Sequence, residues 1–545
     1  MTTPDLILHN ARVYTVDEGM PWAEAVAVSG NEITAVGRTV DILPQAGYKT
    51  RLMNLHGRLV LPGLCDAHIH LYYWSLARKL VDFGGCHSKA AMMERIGRWL
   101  ETAPPEMWAS GWGWNEGSWP DKTQPTRHDL DTVTGPERPA IFWRSDMHAA
   151  VANTAALHIA GIVQGTADPA GGIIGRGEDG RPNGLLWELA INLVLEKMPA
   201  YPEAFLDQAL VESMAELNRL GITAVHDQRM KDQEDGPPAL AAYQRLHQKD
   251  ALSLRINCNI AAHHLHHLAE LRLYSGFGDD YLRLGHIKLF TDGSMGSRTA
   301  WMLAPYELNS SGTADNVGVN VTPPEEIAAT FRQAVAAGFP VSIHAIGDRA
   351  NRTVLDIFEE LMASGPQPPI PHRIEHVQII DPADLPRLAR LNITASVQPL
   401  HITDDMETAE HVLGRRADRV YRFRSLLESG ALLALGSDAP VADPNPFLGI
   451  QAAVCRQKAN NMAAGAWYEA ERLTMAQTIA GYTIGAAKAA GWDEISGTIT
   501  PGKLADLIVV DRDLFALEAQ GISGAEIAET EVTLTIFDGR IVYEK

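Results

Sequence analysis

The stretch Leu61-Pro-Gly-Leu-Cys-Asp-Ala-His-Ile-His70 carries an apolar run past a Pro-Gly pair and ends in two histidines. In an extended segment, residues i and i+2 point to the same side. His68 and His70 would therefore present two imidazole rings to one metal ion. Two histidines at this spacing also occur on solvated strand faces, so the choice depends on which other ligand-type residues the chain places beside them.

From residue 222 onward, short apolar β-like runs alternate with helical segments, which is the pattern of βαβ units in a parallel sheet. Together with the opening run, the predicted strands span residues 60–70, 222–227, 252–260, 284–292, 341–346, 373–377, 393–397 and 432–438. Eight strands with covering helices predict an α/β fold, a TIM-type (β/α)8 barrel. The working face of such a barrel lies at the C-terminal ends of its strands.

Both chain ends are predicted to form a small second domain. Residues 1–60 and 497–545 show short alternating strands separated by turn residues. We therefore expect one composite β-sandwich domain from 1–60 and 497–545, with the barrel domain spanning 61–496. A lid-like insertion at about 72–205 follows the first barrel strand and holds eight of the twelve tryptophans.

Composition restricts the partners and the location of the chain. The formal net charge is −21, because 67 acidic residues outweigh 46 Lys and Arg. This argues against nucleic acid and anionic membranes, since both attract clustered positive charge. The four scattered cysteines contain no Cys-x-x-Cys pair, and the chain has neither a signal-type N-terminus nor ~20 consecutive apolar residues. We expect a cytoplasmic protein with reduced thiols.

Six residues of types that bind metal ions lie near the C-terminal ends of predicted barrel strands. They are His68, His70, Lys288, His344, His376 and Asp438. Random placement would scatter histidine and aspartate over loops and helices. Their convergence on one rim therefore indicates a shared metal site.

Lys288 is an unusual candidate, because a lysine with a reference pKa near ~10.4 is a cation at neutral pH. Burial inside the apolar run His286-Ile-Lys-Leu-Phe290 disfavours that charge and releases a neutral amine. Such an amine can take up carbon dioxide and form a carbamate, whose two oxygens can bridge two metal ions. An ion pair with Asp292 is the alternative, and Lys288 in isolation would favour it.

In these motifs the chain resembles the metal-dependent amidohydrolase superfamily, and most closely the amidohydrolase 3 branch with the N-substituted formamide deformylases. The resemblance covers essentially the whole chain and is specific for family and metal site, and much less so for substrate. Besides the opening motif, it rests on Asp292-Gly-Ser-Met-Gly-Ser-Arg-Thr-Ala300, Ser342-Ile-His-Ala-Ile-Gly-Asp-Arg-Ala350, Arg373-Ile-Glu-His-Val-Gln378, Gly436-Ser-Asp-Ala-Pro440 and Gly497-Thr-Ile-Thr-Pro-Gly-Lys-Leu-Ala-Asp-Leu507.

The resemblance implies that two divalent metal ions, expected to be zinc, are bound. His68, His70 and Asp438 would hold the first ion; His344 and His376 would hold the second, with carboxylated Lys288 as the bridge. Asp438 would be the catalytic residue that moves a proton from the attacking water to the leaving nitrogen.

The implied reaction is hydrolysis of a non-peptide carbon–nitrogen bond by a metal-bridging hydroxide. The expected substrate is a small amide, an N-substituted formamide or a related acyl amide, and the expected assembly is a homodimer.

Three other functions stay open. A deaminase of the same superfamily typically uses one metal ion with a histidine and a glutamate in place of the bridging lysine, so Lys288 argues against it. An esterase or lactonase would use the same metal ions. A non-catalytic barrel that binds a partner protein is less favoured, because such proteins usually lose metal ligands and this chain keeps all six.

Further residues are candidate substrate contacts. They are Trp112, Trp114, Asp146, His148, His226, Arg298 and His401. The tryptophan-rich insertion is expected to cover the barrel mouth and select an apolar amine portion, although most of its tryptophans are expected to build its own core. For His226, a supporting role behind the metal ligands and simple packing are the alternatives.

Overall fold

The computed structural model describes residues 3–120, 122–145, 149–169, 172–229, 235–307, 316–362, 368, 370–458, 465–521 and 524–545. The chain forms two compact units. One comprises Met1–Tyr72 with Met214–Lys545, and the other comprises Tyr73–Ser213. In the described parts of the chain, no helix is long and apolar enough to cross a membrane. The four cysteines are buried and free.

The centre of the first unit is an eight-stranded parallel sheet that is nearly closed into a barrel, which confirms the predicted fold. Its strands are β1 Leu64–Ile69, β2 Ile222–Asp227, β3 Arg255–Ala261, β4 Leu282–Phe290, β5 Val341–Ala345, β6 Arg373–His376, β7 Thr394–Val397 and β8 Leu433–Leu435. Each strand pairs in parallel with the next strand along the chain. The C-terminal ends of all eight strands therefore lie at one rim.

Helices connect the strands and flank the sheets of this unit. They are Thr39–Ile42, Gly236–Gln248, Leu265–Glu270, Pro324–Ala336, Asp348–Met362, Leu385–Arg390, His401–Leu413, Phe423–Glu428, Pro446–Cys455, Met475–Ala480, Ala486–Ala490, Leu514–Ala519 and Gly524–Ala528. The helix Asp348–Met362 shows why they form, since its buried positions Val354, Leu355 and Phe358 follow the helical period and make one apolar stripe. The helices Leu71–Ala77 and Glu203–Arg219 contain the boundaries between the two units.

The chain ends supply two further sheets in this unit. One contains Leu6–His9, Ala25–Ser29, Glu32–Gly37 and Arg51–Asn54, and the other contains Arg12–Tyr14, Trp22–Ala23, Leu59–Pro62, Leu507–Val510, Val532–Phe537 and Arg540–Glu544. A single buried apolar cluster includes Leu8 and Val26 from the first sheet and Val60, Leu507 and Ile536 from the second. The two sheets therefore share one core, as in a sandwich.

The segment predicted as one strand over 60–70 is two strands in the structure. Leu59–Pro62 belongs to a sheet of the chain ends, and β1 begins at Leu64. Gly63 separates them, and an added Cβ there would lie 2.2 Å from Thr223 Oγ1 on β2. Glycine thus allows β1 and β2 to approach closely. The other predicted strands overlap the observed ones, with ends shifted by at most three residues.

The second unit has a mixed six-stranded sheet of its own. Its strands are Val81–Asp82, Ala109–Trp114, Ala140–Arg144, Ala149–Ala152, Gly172–Arg176 and Pro182–Glu188, and its helices are Lys89–Leu100, Arg127–Thr134, Thr154–Ile159 and Asn192–Leu195. Consecutive residues such as Ile141 and Phe142 fall in different apolar clusters, so a core covers each face of the sheet. Six tryptophans belong to these cores, as expected for most of them: Trp99, Trp108, Trp114, Trp119, Trp143 and Trp187.

A buried ion-pair cluster connects the barrel to the C-terminal segment. Arg255 at the start of β3 donates Nε to Asp506 at 2.6 Å and Nη2 to the same carboxylate at 3.0 Å. Its Nη2 also donates to Asp538 at 3.1 Å. Because all three groups are removed from water, the loss of one partner leaves an uncompensated charge.

We expect Arg255→Met to lower the free energy of unfolding by about 3–5 kcal/mol, because two buried carboxylates lose their cation. Urea denaturation followed by circular dichroism measures this change. Arg38→Met is the control, since the Arg38–Asp41 pair is exposed and should contribute nothing measurable. Equal denaturation curves for both variants would contradict a stabilising role for the cluster.

Candidate metal centre

Imidazole and carboxylate groups from several strands converge at the C-terminal rim of the barrel. Asp438 Oδ1 lies 3.3 Å from His68 Nε2 and 3.2 Å from His70 Nε2. Ligand atoms of His68, His376 and Asp438 all lie within 4.8 Å of one another. The ring centre of His376 is 4.7 Å from that of His344. The structure thus brings five of the six predicted metal ligands into one contiguous cluster.

Hydrogen bonds across the seam between β1 and β8 position His68, His70 and Asp438. The Asp66 carboxylate accepts hydrogen bonds from the backbone N–H of His68 at 3.0 Å, from the N–H of Ser437 at 3.0 Å and from the Ser437 hydroxyl at 2.5 Å. The N–H of Asp438 donates to the His68 carbonyl at 2.6 Å, and the N–H of His70 donates to the Ala439 carbonyl at 2.9 Å. Burial raises the pKa of Asp66 to about 6, although these hydrogen bonds act to lower it.

Two residues of the cluster have a left-handed backbone, with φ of +74° at His376 and +65° at Asp438. Such values are unfavourable for residues with a Cβ and concentrate at functional sites. In a regular strand the neighbours Glu375 and His376 would point to opposite faces. Here both face His68: Glu375 Oε2 accepts a 2.6 Å hydrogen bond from His68 Nδ1, and the His376 ring centre lies 5.0 Å from that of His68.

Two of the histidines have one ring nitrogen fixed by a side chain. His68 Nδ1 lies 2.6 Å from Glu375 Oε2, and His376 Nδ1 lies 2.8 Å from Gln398 Oε1. In both rings Nε2 is left for a metal ion. The sequence analysis missed Glu375 and Gln398, and the signal for Glu375 was its place in the motif beside a proposed ligand.

The protonation states of three histidines and of Asp438 suit metal binding. Burial lowers the pKa of His70, lowers that of His344 to about 3 and holds that of His376 well below its ordinary value, so these rings are neutral. For His68, burial is outweighed by Asp438 and Glu375, which raise its pKa. Burial also opposes the charge on Asp438, but His68 and His70 hold the pKa of this carboxyl well below its usual range.

Lys288 lies on β4 with only 2% of its surface exposed. Within the part of the chain that the structure describes, no carboxylate lies within ion-pair distance of its Nζ, and the Phe290 ring centre is 5.0 Å away. Burial lowers the pKa of Lys288 to about 8, against the opposing influence of Glu375 and Asp438. A neutral amine is therefore accessible close to neutral pH.

The alternative ion pair between Lys288 and Asp292 does not form. The Asp292 carboxylate instead accepts hydrogen bonds from the backbone N–H groups of Trp301, Ile346 and Gly347 at 2.8, 3.0 and 2.8 Å. Burial raises its pKa to about 7. Asp292 therefore joins the loops after β4 and β5 at the rim.

The donor set fits a divalent transition metal. Neutral imidazoles and an ionised carboxylate are the ligands that zinc, manganese, iron and nickel accept. His68 Nε2 and His70 Nε2 both approach one oxygen of Asp438, so the three ligand atoms converge as they would around one metal ion.

The predicted substrate contacts have different outcomes. His401 belongs to the cluster, because its Nε2 lies 3.9 Å from Asp438 Oδ2 and its ring stacks on His376 at 6.5 Å. Arg298 is half-buried in the loop after β4 with φ of +57°, and its contact with substrate stays a prediction. Asp146 and His148 lie outside the described residues.

For His226 the structure shows a contact behind the rim. This residue is fully buried, and its Nδ1 accepts a hydrogen bond from Arg373 Nη1 at 2.8 Å. It therefore takes the supporting position behind the rim.

The substrate contact predicted for Trp114 is wrong. The side chain is fully buried in the core of its own unit, and its Nε1 donates to the Phe142 carbonyl at 3.2 Å. Trp112 is partly exposed, and its role stays a prediction.

Known proteins resemble this chain over nearly its whole length. Protein LONG AFTER FAR-RED 3 of Arabidopsis thaliana is 33% identical, with 96% of this chain and 90% of the relative covered. N-substituted formamide deformylase of Arthrobacter pascens is 28% identical, with 99% and 98% covered. An uncharacterized metal-dependent hydrolase from Pyrococcus furiosus has a TM-score of 0.78 and 25% identity, with 94% of this chain and 99% of that chain covered.

Residues 51–543 match the sequence pattern of the amidohydrolase family, and this range includes the barrel and every residue of the rim cluster. Family match, fold and converging metal-type ligands agree. The chain therefore belongs to the amidohydrolase family and is a metal-dependent hydrolase of carbon–nitrogen bonds.

Proposed function

We propose that this protein hydrolyses the amide bond of a small N-substituted formamide, or a related acyl amide, whose amine portion is apolar. The observation that carries the proposal is the approach of His68 and His70 to one oxygen of Asp438, beside the buried Lys288. The formamide class is supported by the deformylase of Arthrobacter pascens, which this chain matches along 99% of its length.

The proposed cofactor is a pair of divalent ions, zinc as the first choice. His68, His70 and Asp438 would hold one ion, and His344 and His376 would hold the other, with carboxylated Lys288 as a further ligand. Carboxylation joins Lys288 Nζ to the carbon of carbon dioxide and releases one proton. When bound, the ions supply an activated water near neutral pH and polarise the substrate carbonyl.

Asp438 is proposed to hold and move the proton of the reaction. Because its pKa is held well below the usual range by His68 and His70 against the effect of burial, its carboxylate is ionised and ready to accept. It takes a proton from the attacking water and delivers it to the leaving nitrogen, as base and then acid. Overall, the water oxygen forms a bond to the carbonyl carbon, the C–N bond breaks, and formate and an amine are released.

His401 is the proposed contact for the substrate at the same carboxylate. Its Nε2 is buried and lies 3.9 Å from Asp438 Oδ2, the oxygen on the other side from His68 and His70. An imidazole there can hydrogen-bond the reacting amide and keep its nitrogen beside Asp438.

We expect enzyme loaded with zinc and bicarbonate to convert N-benzylformamide into equal amounts of benzylamine and formate. Burying the benzyl group gains ~1.5–3 kcal/mol, so kcat/KM should exceed that for formamide by about 10- to 100-fold. Product chromatography measures both. Benzyl formate and adenine serve as ester and aminopurine comparisons, and turnover of either without any amide turnover would contradict the proposal.

Asp438→Asn should reduce kcat by at least ~10²-fold, because the amide cannot accept and return the proton. Stopped assays with metal content determined on the same samples give the rate per loaded site. Asp443→Asn is the control, since Asp443 is exposed and five residues further along the chain. Near-normal turnover of metal-loaded Asp438→Asn would remove Asp438 from the proton transfer.

A further inference from the structure

We propose that Glu375 is a positioning residue that fixes His68 as a metal ligand through Nε2, with Arg373, itself in contact with His226, holding the Glu375 carboxylate from behind. The inference rests on the proposed metal-dependent function and extends it to side chains that do not reach the substrate.

The contact between Glu375 and His68 sets the direction of the ring. Glu375 Oε2 lies 2.6 Å from His68 Nδ1, and both side chains are buried. The opposite nitrogen, Nε2, lies 3.3 Å from Asp438 Oδ1 and so faces the cluster. A carboxylate on Nδ1–H fixes the tautomer of a ligand histidine and increases the basicity of Nε2.

His68 is supported more closely from behind than His344, whose Nε2 lies 3.5 Å from Asp292 Oδ1 and 3.1 Å from the Gly293 carbonyl oxygen. His376 Nδ1 meets a neutral amide, Gln398, and His70 Nδ1 is buried without a hydrogen-bond partner among the described residues. The 2.6 Å contact between its Nδ1 and a carboxylate oxygen therefore distinguishes His68 from these three rings.

Arg373 holds Glu375 in the orientation that His68 requires. Arg373 Nε donates to Glu375 Oε1 at 2.5 Å and Nη2 donates to Oε2 at 3.0 Å, a two-point pair with fixed geometry. The Ser342 hydroxyl donates to Oε1 at 2.6 Å. Arg373 and Glu375 are two residues apart on β6, so both side chains point to the same face, the inside of the barrel.

Arg373 is itself fixed by neighbours on other strands. Its Nη2 donates to the Ala67 carbonyl at 2.6 Å and to Ser396 Oγ at 2.5 Å, and its Nη1 lies 2.8 Å from His226 Nδ1. Because a guanidinium only donates, His226 Nδ1 accepts and its proton resides on Nε2. A series of side-chain contacts thus runs from β2 through β6 to β1, by way of His226, Arg373, Glu375 and His68.

If these side-chain contacts had a purely structural role, removing the Glu375 carboxylate would lower stability without changing metal affinity. A positioning role predicts that folded enzyme holds metal less tightly once the carboxylate is removed. Metal affinity therefore separates the two.

The test compares wild type, Glu375→Gln and Asp506→Asn, each loaded with zinc and titrated with a chromogenic chelator. Glu375→Gln should weaken zinc binding by about 10- to 100-fold. Asp506→Asn is the matched control, because it also removes a buried carboxylate paired with a buried arginine, Arg255, and it should keep wild-type affinity. Equal affinity for Glu375→Gln and wild type would overturn the inference.

A second measurement needs no variant that might fail to fold. In zinc-loaded wild type with 15N-labelled histidine, the His68 signals, assigned with His68→Asn, should show a proton on Nδ1 and metal on Nε2. Metal on Nδ1 would overturn the inference even if Glu375→Gln cannot be purified. Wild type that binds no zinc at all would instead overturn the proposed function.

Discussion

The site depends on the closure of the barrel between its first and last strands. His68 and His70 come from the end of β1, whereas Asp438 follows β8, so these three groups meet only if that seam is held. The Asp66 carboxylate holds it by accepting bonds from both sides, two of them from Ser437. Such buried polar networks are stabilising only when fully satisfied, which ties the arrangement of the site to the integrity of the fold.

Two carboxylates inside the barrel are paired with charged or imidazole groups, whereas the buried Lys288 is not. Glu375 has Arg373, and Asp438 has His68 and His70, so each buried carboxylate has partners that offset its loss of hydration. Lys288 has no such partner in the described structure, and a buried unpaired cation is unfavourable. Since burial lowers its pKa to about 8, the neutral amine is within reach, and that is the form that reacts with carbon dioxide.

Periodic apolar runs were sufficient to predict the eight strands, and parallel topology then predicted that residues at strand ends converge. Local pattern could not show where the chain changes sheet, because the run through Gly63 is continuously apolar. It could not show that Glu375 and His376 both face the site, because consecutive strand residues normally point to opposite faces and the left-handed backbone at His376 departs from that pattern. Trp114 was placed wrongly for a related reason: its position resembled that of a site residue, but its burial was decided by neighbours distant in sequence.

Diffraction data collected at the zinc absorption edge, from crystals grown with zinc and bicarbonate, test the central claim most directly. The account predicts two anomalous peaks per chain, one between His68, His70 and Asp438 and the other beside His344 and His376. Continuous density for a carbamate should extend from Lys288 Nζ between them. An absence of peaks at the rim, or a bare amine at Lys288 beside bound metal, would contradict the account.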